Sequence, residues 1–420
     1  MKNFKESGIE WLGEIPEHWE VVKINKIVTF VNGYAFENFD FNPIFEIPVI
    51  RIGDMQKEKI LYDNCLKTKE KEKLKQFLIS NNDILIALSG ATTGKIAFCD
   101  TDNKAYINQR VAIVRSKLKL VKYYFLTRGF SLLIELACNG SAQPNISTKE
   151  IGEFKIPLPP LKEQEQIANF LDEKCKKIAN FIEKKEKLIT LLKEQKQALI
   201  NETITKGLDK NINFKESGIE WLGEIPEHWE VVKINKIVTF VNGYAFENFD
   251  FNPIFEIPVI RIGDMQKEKI LYDNCLKTKE KEKLKQFLIS NNDILIALSG
   301  ATTGKIAFCD TDNKAYINQR VAIVRSKLKL VKYYFLTRGF SLLIELACNG
   351  SAQPNISTKE IGEFKIPLPP LKEQEQIANF LDEKCEKIDL LIEKTKKQIK
   401  LIKEYKTTLI NQAVCGRINL

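Results

Sequence analysis

Ile156-Pro157-Leu158-Pro159-Pro160-Leu161-Lys162-Glu163-Gln164-Glu165-Gln166-Ile167-Ala168 is the stretch on which the fold turns. Proline lacks a backbone donor and disfavours helix in the residue before it, so the first half is an extended boundary. The second half opens a run, Leu161 to about Thr205, with neither Pro nor Gly. In that run Leu171, Ile178, Leu192 and Leu199 recur at seven-residue steps, with Lys185 interrupting. Cys175, Ile182 and Ile189 sit four residues after three of these positions. That is the a/d seam of a helix that packs lengthwise on a partner. About 45 residues at 1.5 Å each give a rod of about 65 Å.

The same stretch returns at Ile366 to Ala378, and much more returns with it. Asn3 to Cys175 recurs unchanged as Asn213 to Cys385, an offset of 210. Identity then stops: Lys176-Lys177-Ile178-Ala179-Asn180 faces Glu386-Lys387-Ile388-Asp389-Leu390. The second helical run keeps the seam, with Leu381, Ile388, Ile402 and Leu409 accompanied by Cys385, Ile392, Ile399 and Ala413. A period this long is a domain duplication rather than a solenoid. Its perfect identity marks it as recent or engineered.

Upstream of each proline boundary lie strand-like runs broken by turns: Pro48–Ile52, Asp83–Leu88, Lys95–Phe98 and Arg110–Val114. Helical stretches intervene at Lys69–Leu78 and Val121–Leu136. The mixture predicts an α/β or α+β unit. The chain therefore reads as a first globular domain over 1–158, a spacer helix over 159–206, a linker and second domain over 207–368, and a second spacer helix over 369–420. One reading packs each helix on its own globular domain. The other packs the two helices on each other. Gly207 ends the first helix, and if the second domain sits at its far end, the second helix must return antiparallel. Two identical domains on an antiparallel coiled coil, related by an approximate two-fold axis, follow from that.

Bulk composition narrows the function. With 44% hydrophobic and 28% charged residues, the 420-residue chain has the balance of a soluble, core-forming protein. No run approaches the roughly 20 apolar residues of a membrane span. The opening Met1-Lys2-Asn3-Phe4-Lys5-Glu6 lacks the apolar core of a secretory signal. A cytoplasmic protein is expected. Nine cysteines lie far apart with no C-x-x-C pair, which predicts reduced, mostly buried thiols and no metal site. Only His18 and His228 are available for imidazole chemistry. The net charge of +9 suits a polyanionic partner.

Several motifs resemble the specificity subunit of type I restriction–modification systems. Ser7-Gly8-Ile9-Glu10-Trp11-Leu12-Gly13-Glu14-Ile15-Pro16-Glu17-His18-Trp19 is similar to that family's start. Pro157 to Ala168 is similar to the entry to its conserved helices, and Leu199 to Leu208 to the link between its halves. The resemblance spans essentially the whole chain. It implies a non-catalytic subunit without cofactors that reads split double-stranded DNA sites through two target-recognition domains. It also implies helices that space the half-sites and hold two methyltransferase subunits, joined by restriction and translocase subunits. The chain departs from the family pattern in one respect: its two recognition domains are the same.

Base edges are read by hydrogen-bonding side chains on exposed turns, while cations hold phosphates. Three segments fit. Ser89-Gly90-Ala91-Thr92-Thr93-Gly94-Lys95 lies between two strands and offers Thr92, Thr93 and Lys95, unless it is an ordinary hairpin turn. Asn108, Gln109 and Arg110 carry the groups that suit adenine and guanine, though a polar strand start reads the same. Asn139 to Ser147 is loop-like and offers Ser141, Gln143 and Asn145; Ser147 with Glu150 also fits a helical capping box. Asn32-Gly33-Tyr34-Ala35-Phe36 adds Tyr34, which either stacks on a base or joins the core. The second copy repeats the set as Thr302, Thr303, Lys305, Asn318, Gln319, Arg320, Ser351, Gln353, Asn355 and Tyr244.

Rival functions find less support. Gly90 to Lys95 mimics a phosphate-binding loop, but three residues rather than four separate the glycines, and Ile96 stands where Ser or Thr would hold magnesium. Asn42-Pro43-Ile44-Phe45 lacks the second proline of an adenine methyltransferase motif, and no Gly-rich cofactor loop follows a strand. Asp100-x-Asp102-x-Lys104 is a polar turn rather than a nuclease centre. A scaffold that binds no DNA explains the seams but leaves the paired domains idle.

Overall fold

Ile84-Leu85-Ile86-Ala87 and Val111-Ala112-Ile113-Val114 are unbroken apolar runs because the sheet they form is covered on both faces. The computed structural model describes residues 3–9, 11–139, 144–348 and 354–418. In the first copy the strands that frame the site include β1 (Glu20–Lys23), β2 (Thr29–Asn32), β3 (Ile47–Ile50), β4 (Leu66–Thr68), β5 (Ile84–Ala87), β6 (Ile96–Phe98), β7 (Tyr106–Ile107) and β8 (Val111–Arg115). Helices α1 (Arg128–Ala137) and α2 (Thr148–Glu153) follow, then β9 (Lys155–Leu158). The main sheet is antiparallel with order β6-β5-β8-β2. A second sheet, β7-β3-β4, pairs β7 with β3 in parallel. Strand β9 returns to pair with β1, closing the domain just before the long helix.

Alternation along the strands splits the core. Ile84, Ile86, Ala112 and Val114 face one core, which includes Trp19, Tyr124 and the long helices. Leu85, Val111 and Ile113 face the other, with Ile50, Met55 and Ile107. The second copy repeats both cores.

The long helices are α3 (Leu161–Lys206, 46 residues) and α4 (Leu371–Val414, 44 residues). Packing divides the chain into two units, Met1–Lys185 with Lys397–Leu420, and Glu186–Lys396. Each unit thus holds one recognition domain and a segment of each helix. In the first unit the Trp19 indole donates to Glu163 near the start of α3 at 3.0 Å. Gly416, just past the end of α4, abuts the same ring: a Cβ there would lie 3.1 Å from it and 2.5 Å from Pro16. Further along α3, Cys175 feels the charge of Lys406. The two helical segments therefore run antiparallel. The second unit gives the same direction independently, with Trp229 on Glu373 at 2.9 Å, Gly207 against Trp229, and Lys196 paired to Asp389 at 2.7 Å.

The heptad reading selects the right residues. Leu171, Ile178, Leu192, Leu381, Ile392, Ile399 and Leu409 are buried, and Ile182, Ile189, Leu199, Ile388 and Ile402 are half-buried. Off-seam Leu191, Leu390 and Leu401 are exposed. The two packing alternatives turn out to be compatible: Leu171 and Leu409 share one core with Trp19 and the main sheet.

Two predicted helices differ. Lys69–Leu78 is a tight 3-10 segment over Glu72–Phe77. Side chains claim its end groups, since Tyr106 Oη accepts from the Lys71 amide and Arg115 Nη2 donates to the Leu78 carbonyl. Val121–Leu136 breaks at Thr127, whose extended backbone and hydroxyl cap the start of α1 by accepting from the Phe130 amide at 3.1 Å. All nine cysteines are free. Burial pushes the Cys65 and Cys99 thiols up to about 12.

The units differ where the two helices lie beside the hairpin at Glu58. In the first, Lys406 donates to Glu58 on a hairpin tip at 2.9 Å. In the second, the equivalent Lys196 turns to Asp389, which stands where the first repeat has Ala179. A cleft of about 840 Å³ opens there beside Glu268, Lys332 and Asp389.

Candidate nucleic-acid interface

Segments far apart in sequence converge at one end of the main sheet. The turn after β5 is tied to the segment before α2: the Gly90 amide donates to the Pro144 carbonyl at 2.8 Å, and Ser89 bridges Asn145. The Thr93 hydroxyl lies 2.7 Å from the Gly90 carbonyl and 3.0 Å from that of Pro144, its proton shared between them. The turn before β8 joins them, since the Leu88 amide donates to the Arg110 carbonyl at 2.9 Å. The end of β2 completes the group through Gly33, whose amide donates to the Val111 carbonyl at 3.0 Å. A Cβ on Gly33 would sit 2.1 Å from the Asn108 carbonyl oxygen, so only glycine lets these backbones approach.

Between them lies an open recess of about 360 Å³ lined by Asn32, Ser89, Gln109, Arg110, Asn145 and Thr148, among others. Asn32, Thr92, Gln109, Arg110 and Asn145 are exposed and Asn108 is half-buried. Among the described residues, none of these six side chains has an internal hydrogen bond or ion pair. The second copy repeats the bridges of Ser299 with Asn355 and Tyr244 with Asn318. It therefore places Thr302, Gln319, Arg320 and Asn355 alike.

The remaining predicted residues have other engagements. Tyr34 packs in an aromatic cluster, 5.0 Å from the Phe36 ring and 5.4 Å from that of Phe77; Tyr244 does the same. Lys95 is half-buried, with its ammonium 3.5 Å from the Ile52 carbonyl; Lys305 is half-buried too. Thr93 and Thr303 fasten the loop. Ser147 forms the capping box with Glu150, and its hydrogen bonds hold that carboxyl below the usual carboxylate range. Ser141, Gln143, Ser351 and Gln353 lie outside the described residues.

The sequence reading passed over Asn32, Ser89 and Thr148. Asn32 immediately precedes Gly33-Tyr34, and the signal for it is the glycine beside it, which a close backbone approach requires. The phosphate-loop likeness also dissolves. The Gly90, Thr93, Gly94 and Lys95 amides all donate to internal carbonyls, so most of the turn's N–H groups are spent on the fold rather than on a phosphate. Among the described residues no acidic, His or Cys cluster is arranged to hold a metal. What the face offers is amide and guanidinium edges in the open, the chemistry that reads base edges and phosphates.

Two like α/β domains, each carrying the same polar face and each packed on antiparallel segments of the two long helices, define a recognition protein with two copies of one face. The chain belongs to the family of the type I restriction modification DNA specificity domain, whose model matches residues 16–202 and 226–401. It is 28% identical to the type I restriction enzyme MjaVIII specificity subunit of Methanocaldococcus jannaschii, over 100% of this chain and 96% of that one. It is 22% identical to the EcoBI specificity subunit of Escherichia coli, over 91% and 82%. Among solved structures, a chain from work on complex assembly and conformational transition of the type I R-M system matches with a TM-score of 0.70 at 16% identity, covering 96% of this chain and 99% of its own. The HsdS subunit from Thermoanaerobacter tengcongensis matches at 0.51 and 15% identity, covering 96% and 98%. These two likenesses concern the fold.

Proposed function

We propose that this chain is the DNA-reading subunit of a type I restriction–modification complex and performs no chemistry itself. Each domain sets its polar face, centred on Asn108–Arg110, against one half of a split double-stranded site. The long helices fix the separation of the half-sites and hold two methyltransferase subunits, which flip and methylate adenine. Restriction and translocase subunits join that core. Such work belongs in the cytoplasm, and among the described residues no helix is long and apolar enough to cross a membrane. The observation that carries the reading is the convergence on one face, given twice, of exposed amide and guanidinium side chains that have no partner among the described residues.

Identical domains carried on antiparallel helices should read an inverted repeat, with half-site centres about one helical turn or a little more apart. The test is the methylation motif left on DNA when the chain is co-expressed with its methyltransferase subunit. A split inverted repeat is expected. A split direct repeat would keep the function and overturn the symmetry. Soluble, associated subunits that leave no methylation would overturn the function.

A further inference from the structure

The face divides into two kinds of group. Arg110 is a cation on an exposed turn, suited to a phosphate or a guanine. The recess beside it is lined by uncharged amides: Asn32 from the end of β2, Gln109 from the turn before β8, and Asn145 from the segment before α2. Gly33 presses the end of β2 against the Asn108 carbonyl, which fixes Asn32 beside Gln109. The hydroxyl of Ser89, also lining the recess, is shut off from solvent and has no partner among the described residues. A buried hydroxyl without a partner is a destabilising feature, and such features gather where a protein binds something.

We infer that Asn32, and Asn242 in the second copy, are specificity-determining residues that read one A·T pair in each half-site, with the recess receiving the base edge. Amide side chains present a donor and an acceptor together, the pattern that matches adenine N7 and N6 in the major groove. The inference rests on the DNA-reading proposal and adds the base class and the residue. Asn32 is exposed and has no internal partner among the described residues, so its removal leaves packing intact.

The duplication supplies an internal control. Asn32→Ala is made in one copy only, in the full chain co-expressed with its methyltransferase subunit, and the methylation motif is mapped. One half-site should lose its requirement at a single A·T position, with discrimination there falling roughly ten- to hundred-fold. The other half-site should stay strict. Asn242→Ala should transfer the relaxation to the other half. The salt dependence of binding should not change in either variant, because no phosphate contact is lost. An unchanged motif, or uniformly weaker methylation of all sites, would overturn the assignment of Asn32 while leaving DNA reading intact. A wild-type complex that binds DNA with no sequence preference would instead overturn the parent proposal.

Discussion

Asp40 shows how single residues hold the recognition domain in shape. Its carboxylate accepts from Lys71 Nζ at 2.8 Å and from the Glu37 amide at 3.0 Å. The Lys71 hydrogen bond, then the Glu37 amide, hold its pKa below the ordinary carboxylate value; Asp250 repeats the arrangement. A group with a depressed folded-state pKa contributes stability that is present above its unfolded pKa and lost as pH falls through the folded one. Asp40→Asn with Asp250→Asn should therefore cost about 1 kcal/mol per copy at pH 7. The cost should shrink as pH falls through that depressed folded-state pKa, where the wild-type carboxyls become protonated and lose the Lys71 and Glu37 hydrogen bonds' preference for the charged form. Urea midpoints of both proteins across pH 2–8 check this; a gap that persists in acid would assign the effect to packing instead. At this scale the sequence was only partly legible. The Ser147–Glu150 capping box spans three positions and could be read directly. The recess could not, because Asn32, Ser89, Gln109 and Asn145 meet only after β2, β5 and β8 have paired.

Among the elements, the helices were the most legible part because their rule is local. A seven-residue apolar step names the buried face wherever the helix lies, and every residue it named is at least half-buried. Less visible was that the end of α4 and the residue after it supply core to the first recognition domain: Leu409, Ile410, Ala413, Val414 and Cys415 are all buried with Trp19, Tyr124 and Leu171. At roughly 1.5–3 kcal/mol for each buried aliphatic side chain, their loss is on the order of 5–10 kcal/mol, comparable to the stability of a whole domain. Truncation after Lys396 should thus unfold the first unit selectively. The second unit ends at that residue and keeps its own core. Amide exchange should show protection lost across 4–185 and retained across 213–396. Equal loss in both would show that the units do not fold separately. The cleft in the second unit was illegible for a related reason: the Lys196–Asp389 pair beside it joins residues nearly 200 positions apart, and Asp389 stands where the first repeat has Ala179.

For the whole molecule, the decisive feature is that each unit is completed by the other repeat. The first takes 397–418 from the second repeat's helix, and the second takes 186–206 from the first repeat's helix. The borrowed ends are alike. Asn411 accepts from the Arg128 amide at 3.1 Å in the first unit, and Asn201 accepts from the Arg338 amide at 3.0 Å in the second. Ile410 and Ile200 are both buried beside them. A single repeat, residues 1–207, therefore carries everything one unit needs, but on a helix whose far end belongs in another copy. Two such chains can exchange their helix ends, with Leu199–Lys206 of one taking the place of Leu409–Gly416 against the other. Light scattering should show a dimer of the 1–207 fragment. With the methyltransferase subunit, that dimer should methylate the same motif as the full chain, because both carry two copies of the face proposed to read DNA. Asn201→Ala and Ile200→Asp together should return the fragment to a monomer that leaves no methylation. A fragment that is folded yet monomeric would show that the covalent link through Gly207 is needed for assembly. A dimer with a different spacer between the same half-sites would show that this link sets the separation while the domains alone set the bases.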